Sequence, residues 1–428
     1  MNKINIYVKI IRQFLFKHKV WVFFSLLLGI HIFLRFYQLE HSIFNYDQVD
    51  SAWAAKRILI DRQFTLIGPA NKLGSGIFVG PLYYYAISIF YYFTNLDPSA
   101  SALFAGFTSI FSFCVLFIIT KKLFSTRIAF IALFINTFAF SAIEFDRVQW
   151  EINFIAPLAY IAYYFLYRVL KGEEKFIFWL AITLGFAYHI HLTISVFLSI
   201  IVVLCLPFFP RSKSTLKYIL YSVPILLIAL SPIIIVNLMN KNTYASGSLT
   251  YAQNTFHGLH LTRLLQLKNA AFIQIESFIT FSLLKGLAPF TIPLFLVFYL
   301  INTPTQKKFI ISTLTLLWFT IPWIVLSTYS QEITDYYFST NRFVGLTLLS
   351  YLISLLSERK NKLITIMLII FGLYFIFINM QKFFVRKRGL YNYRNIAKQY
   401  IKEGKIIPFK EGDPLSFLYF YYHYRAHH

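Results

Sequence analysis

The stretch FNYDQVDSAW, residues 44–53, places two carboxylates, Asp47 and Asp50, directly after an apolar run long enough to cross a bilayer. Three further polar groups interrupt an otherwise greasy chain. EFDRVQWEIN, 144–153, holds Glu144, Asp146, Arg147 and Glu151; YHIHL, 188–192, holds His189 and His191; QEITDYYFSTNR, 331–342, holds Asp335, Tyr336, Tyr337 and Arg342. Lys72 adds a cation to the segment that follows Asp47 and Asp50. A carboxylate of this kind takes a proton from an acceptor hydroxyl as a general base. Arginine, lysine and histidine hold a departing phosphate, arginine with two parallel hydrogen bonds. Together the types suit a reaction on a lipid-linked phosphate at a membrane surface. No Walker loop, GxGxxG, HExxH or cysteine cluster offers another chemistry.

Each residue also has a structural alternative. Asp47 and Asp50 are spaced to cap the helix that SAWAAKRIL suggests. Arg147 has Glu144 and Glu151 about one helical turn away on either side. Two histidines two positions apart suit a metal only on an extended segment, and otherwise pack or hydrogen-bond. Arg342, at the end of an apolar span, is placed to reach for headgroups. Asp47, Asp50, Glu151 and Asp335 could supply the oxygen ligands a divalent ion would need. Ionisable groups at membrane depth are costly, so a cluster near the bilayer surface marks a site.

The elements that must position these groups are membrane helices. With 58% apolar residues, 49 Phe, 30 Tyr and 13% charged residues, the 428-residue chain has more apolar surface than a soluble core can hide. Cys114 and Cys205 both lie in apolar runs and imply no disulfide framework. The first apolar stretch lacks a small-residue cleavage site and reads as a retained anchor. Spans are expected at 20–38, 100–120, 127–143, 153–170, 176–190, 192–208, 217–238, 277–301, 309–328, 342–357 and 362–380, the 176–208 pair as a tight helical hairpin.

The net charge of +23 is read as a topology signal rather than a nucleic-acid patch. Nearly half of the 40 basic residues fall on the N-terminus and alternate short loops, which puts the N-terminus in the cytoplasm. That assignment requires GPLYYYAISIFYYF, 80–93, to stay out of the count. It is predicted to lie as a helix over 81–95 at the outer interface, with Tyr83, Tyr84 and Tyr85 at the headgroup level. The domain layout is then a transmembrane body over 1–380, a first outer loop over 39–99, a second over 144–152, and a short extracytoplasmic tail over 381–428. Lys382, Arg386, Lys387 and Arg388 fall outside against the charge rule.

NYDQVDSAWAAKRIL, LIGPANKLGSGIFVGPLYYY, FDRVQWEINF and GFAYHIHLT, in this order over about 150 residues, resemble the GT-C membrane glycosyltransferases. Within that superfamily the chain is similar to protein O-mannosyltransferases and lipid A aminoarabinose transferases, and most to the bacterial RgtA-to-D-like branch. The resemblance implies an all-α polytopic bundle of about eleven spans with juxtamembrane helices in a long first loop. It also implies an inverting transfer of a sugar from a polyprenyl-phosphate carrier to an extracytoplasmic glycan, lipid or protein, at the outer face of a plasma (inner) membrane, without a metal. The family's catalytic acid falls on Asp47, and the acid that usually follows it is Gln48 here. The family's second-loop arginine falls on Arg147, its following acid loosely on Glu151, and its late Tyr/Arg on Tyr336 and Arg342. Val79-Gly80-Pro81 replaces a Pro-Pro pair and the basic residue before it, leaving Lys72, Arg147, His189 or Arg342 to hold phosphate, with His191 beside them. A transporter or flippase of lipid-linked sugars, or a glycan polymerase or ligase, remains the alternative. The concentration of charge at one surface and the absence of an internal repeat favour the transferase.

Overall fold

The computed structural model describes residues 18–70, 77–239, 243–258, 261–267, 290–301, 305–358, 361–384 and 389–427. These residues form helices joined by turns, with no β-strand among them. In chain order the membrane body has α1 (Lys19–Phe36), α4 (Ser99–Leu123), α5 (Thr126–Phe138), α6 (Phe140–Arg147), α7 (Ile155–Leu170), α8 (Phe176–Tyr188), α9 (Leu192–Cys205) and α10 (Lys213–Met239). It continues through α11 (Thr243–Thr255), α12 (Leu261–Leu267), α13 (Thr291–Ile301), α14 (Gln306–Ser327), α15 (Arg342–Glu358) and α16 (Lys362–Phe384). The first loop carries α2 (Tyr46–Leu59) and α3 (Leu82–Phe93), and the C-terminal segment carries α17 (Gly389–Lys402) and α18 (Pro414–His427).

Five of these helices are long and apolar enough to cross a membrane: α1, α4, α10, α14 and the one that starts at Lys362. All eleven expected spans meet helix, apart from the part of 277–301 that lies outside the described residues. The helix α4 is the hub, touching α1, α3, α5, α6 and α7. Two thirds of its apolar window is buried, against 6% for α10, whose leucine and isoleucine face points outward as lipid contact requires. Hydroxyls bind the hub together. Thr120 of α4, Tyr160 of α7 and Thr347 of α15 meet at 3.0–3.2 Å, and Tyr163 donates to the Ile311 carbonyl at 2.9 Å.

The expected span 127–143 is broken. The helices α5 and α6 meet at Ala139 with a 70° bend. A break frees backbone groups that must find partners. The Phe140 N–H donates to Asn379 Oδ1 at 2.7 Å, and the Asn136 and Thr137 carbonyls each accept from Arg35 at 2.7 Å. The helix at 81–95 is present as α3, whose twelve residues rise about 18 Å, short of a hydrocarbon core of roughly 30 Å. Placement at a headgroup surface does not fit the burial of Tyr83 and Tyr84. Tyr83 and Tyr84 are buried between α2, α3 and the second loop, and Tyr85, half-buried, donates to the Thr65 carbonyl at 2.7 Å. Gln149 and Asp50 are the partners of the Tyr83 and Tyr84 hydroxyls.

Candidate active site

The site is built on α2, which starts earlier than SAWAAKRIL suggests. Its first turn is closed by Gln48, whose Oε1 accepts the Asn45 N–H at 2.9 Å, so neither Asp47 nor Asp50 is needed as a cap. The Gln48 Nε2 donates to the Gln149 carbonyl at 2.7 Å. Gln149 in turn donates to Ser51 Oγ at 3.1 Å and to the Tyr83 hydroxyl. These bonds lock one face of α2 and the buried end of α3 onto the second loop. The position where the family resemblance expects a second acid therefore serves as a splice between the two loops. Asp50, one turn beyond, accepts a hydrogen bond from the Tyr84 hydroxyl. Burial raises its pKa, opposed by that bond and by Arg57.

Asp47 stays exposed at the edge of the splice, within hydrogen-bond reach of the Trp150 side chain. Loss of water on its protein side raises its pKa, the charge of Asp50 adds to the effect, and Trp150 opposes it. Glu151 is the more strongly perturbed group, pushed up to about 8 by burial first and by Asp47 second. With its pKa at about 8, Glu151 is mostly protonated at neutral pH.

Aromatic rings continue the site. The Trp150 ring lies 5.3 Å from that of Tyr336, which stacks on Tyr337 at 4.7 Å. His191 approaches both tyrosines edge-on, at 5.7 and 6.3 Å. The Thr193 N–H donates to His191 Nδ1 at 3.2 Å, which leaves Nε2 to carry the ring proton. Burial lowers the His191 pKa to about 4, so the ring is neutral. His189, with a pKa also lowered by burial, packs its ring on the Gly80 backbone; a Cβ at Gly80 would lie 1.9 Å from Nδ1. Glycine at position 80 is what lets the end of the first loop reach the hairpin turn. The four polar stretches, far apart in sequence, meet through Asp47, Trp150, Glu151, Tyr336, His191 and His189.

Two expected phosphate ligands are placed elsewhere. Arg147 turns back to the end of α1, donating to the Leu34, Arg35 and Gln38 carbonyls at 3.1, 2.9 and 3.0 Å. It satisfies helix-end carbonyls that would otherwise be orphaned. Arg342 sits at 3.2 Å from Asp146, with its guanidinium over the Phe145 ring, and does not reach for headgroups. Asp146 also takes Arg35 at 2.9 Å, forming a buried Arg–Asp–Arg cluster beneath the site. Arg35 was not among the expected residues, and its one sequence signal is a lone charge at the end of an apolar span. Gln149 and Trp150 were likewise missed, since neither type is distinctive in a chain this aromatic. Lys72 and the side chain of Asp335 lie outside the described residues. Among the described residues, no three His, Cys, Asp or Glu side chains are grouped to hold a metal.

Comparison with known proteins shows similarity in structure without similarity in sequence. No family model and no curated protein sequence matches the chain. Among solved structures, it is similar to ArnT from Cupriavidus metallidurans bound to undecaprenyl phosphate, with a TM-score of 0.60 and 10% identity, over 94% of this chain and 74% of that one. The apo state of the same protein gives a TM-score of 0.55 at 12% identity, over 95% and 68%. AglB, the oligosaccharyltransferase of Archaeoglobus fulgidus, in complex with an inhibitory peptide and a dolichol-phosphate, gives 0.56 at 12%, over 95% of this chain and 60% of that one. The likeness extends over nearly the whole of this chain and shows that it has the fold of these proteins, the GT-C fold.

Proposed function

We propose that the protein is an integral-membrane glycosyltransferase that moves a sugar from a polyprenyl-phosphate donor to a hydroxyl-bearing acceptor outside the cytoplasm. The observation that carries this reading is the meeting of Asp47, Glu151, Trp150, Tyr336 and His191 where the loops of a GT-C fold converge. Asp47 takes the proton from the acceptor hydroxyl as the oxygen attacks the anomeric carbon. The bond from that carbon to the phosphate oxygen breaks on the opposite face, its electron pair leaving with the phosphate. A single displacement of this kind inverts the anomeric centre.

The rings of Trp150 and Tyr336 offer flat apolar faces for the sugar, and neutral Glu151 donates a hydrogen bond beside them. His189 and Lys72 are assigned to the departing phosphate. The N-terminus is cytoplasmic, the site faces outward from the plasma membrane, and the acceptor is an envelope glycan, lipid or protein. The test is comparison of surface glycans by mass spectrometry with and without the gene. One glycan losing a single sugar in its absence is the expected result. Loss of the sugar together with retention of the lipid-linked donor on the cytoplasmic side would instead identify a flippase, and an unchanged set of glycans would contradict both readings.

A further inference from the structure

The helix that carries Asp47 is held on a second face by the end of the chain. Gly412 has a backbone φ of +72°, which a side chain would strain, and a Cβ there would lie 2.0 Å from Tyr46 Cδ2. Tyr46 is the first residue of α2 and the neighbour of Asp47. Two turns further, the Trp53 ring meets Phe409 and Phe417 at 5.1 Å and Phe420 at 5.3 Å. Lys56 lies 5.6 Å over the Phe420 ring. The C-terminal segment is anchored independently of α2. Arg394 bridges Glu40 at 2.8 Å and Asp97, Tyr421 donates to Asp97 at 2.7 Å, and the Leu390 N–H donates to the Ser42 carbonyl at 3.0 Å. One face of α2 is therefore spliced to the second loop and the other is seated on 389–427.

We propose that the segment 389–427 is a positioning clamp for α2, in which the Gly412–Tyr46 seat and the Trp53 aromatic cluster set where Asp47 stands relative to Glu151 and Trp150. Acid–base work needs hydrogen-bond reach to the substrate, so a shift of about 1 Å at the start of α2 is enough to lower turnover. Gly412 and Tyr46 are positioning residues, because the clamp acts only through Asp47. The inference rests on the glycosyltransferase reading.

The test uses the full chain reconstituted in lipid with a synthetic polyprenyl-phosphate sugar, and compares Gly412→Asn, Tyr46→Ala with Gly412→Asn, and Phe409→Ala. Asparagine tolerates the left-handed backbone, so Gly412→Asn isolates the contact with Tyr46. The expected results are a kcat at least tenfold lower in Gly412→Asn with donor KM within about twofold, and recovery to within about threefold of wild type in the double variant. Phe409→Ala, which trims an exposed ring, should keep the melting temperature and lower kcat several-fold; it decides the matter if Gly412→Asn does not accumulate. Wild-type kcat in both single variants, or a loss in Gly412→Asn that Tyr46→Ala does not relieve, would overturn the clamp alone. Absence of transfer by the wild type would overturn the functional reading, and the clamp with it.

Discussion

Glu151 is the residue whose chemistry the structure changes most. Its folded pKa, about 8, lies far above the ordinary carboxyl value, so the native state binds this proton more tightly than the unfolded chain does. The native state therefore loses stability relative to the unfolded chain as pH rises between about 4.5 and 8, and the loss is complete above that range. Glu151→Gln removes the titration. Its melting temperature in detergent should vary less than wild type between pH 5 and pH 8.5, and the gap should favour the variant at the alkaline end. A glutamine still donates a hydrogen bond, so transfer at pH 7 is expected to stay within about tenfold of wild type, below the 10²-fold and larger losses typical of a deleted base. Asp146 is held differently, paired with the buried Arg35 at 2.9 Å and Arg342 at 3.2 Å. Asp146→Ala strands two buried guanidinium groups and should cost about 3–5 kcal/mol, read as failure to accumulate or a sharply lowered melting temperature.

At the scale of elements, the break between α5 and α6 brings Arg147 back to the end of α1 and delivers Glu151 to Asp47. The break depends on partners for the groups it frees. Asn379→Leu leaves the Phe140 N–H without its acceptor and should cost about 1–3 kcal/mol, measured as a lower melting temperature in nanodiscs. The contact of Gly80 with His189 is the second joint. Gly80→Val forces the ring aside and should destabilise by about 1–3 kcal/mol, with His189→Ala in the same chain relieving most of the strain.

At the scale of the whole molecule, the sequence was legible where its signals were periodic or sparse. Apolar runs located the helices, and rare charged groups in an apolar chain marked the four stretches that meet at the site. What could not be read was where side chains turn. Arg147 beside two acids reads as a local ion pair, yet the bend at Ala139 directs it to carbonyls more than a hundred residues away. The tyrosines at 83 and 84 have the composition of a headgroup belt, but the loops close over them and supply Gln149 and Asp50 as partners. Asp47 and Asp50 have cap spacing, but Gln48 already supplies the helix start. Each departure comes from a tertiary partner that local spacing does not encode.

The central claim is that Asp47 is the base. Transfer from a synthetic polyprenyl-phosphate sugar by reconstituted Asp47→Asn, with folding checked by its melting temperature, tests it most directly. A loss of at least about 10²-fold with the protein still folded is expected. Transfer within a few-fold of wild type by a folded Asp47→Asn would contradict it.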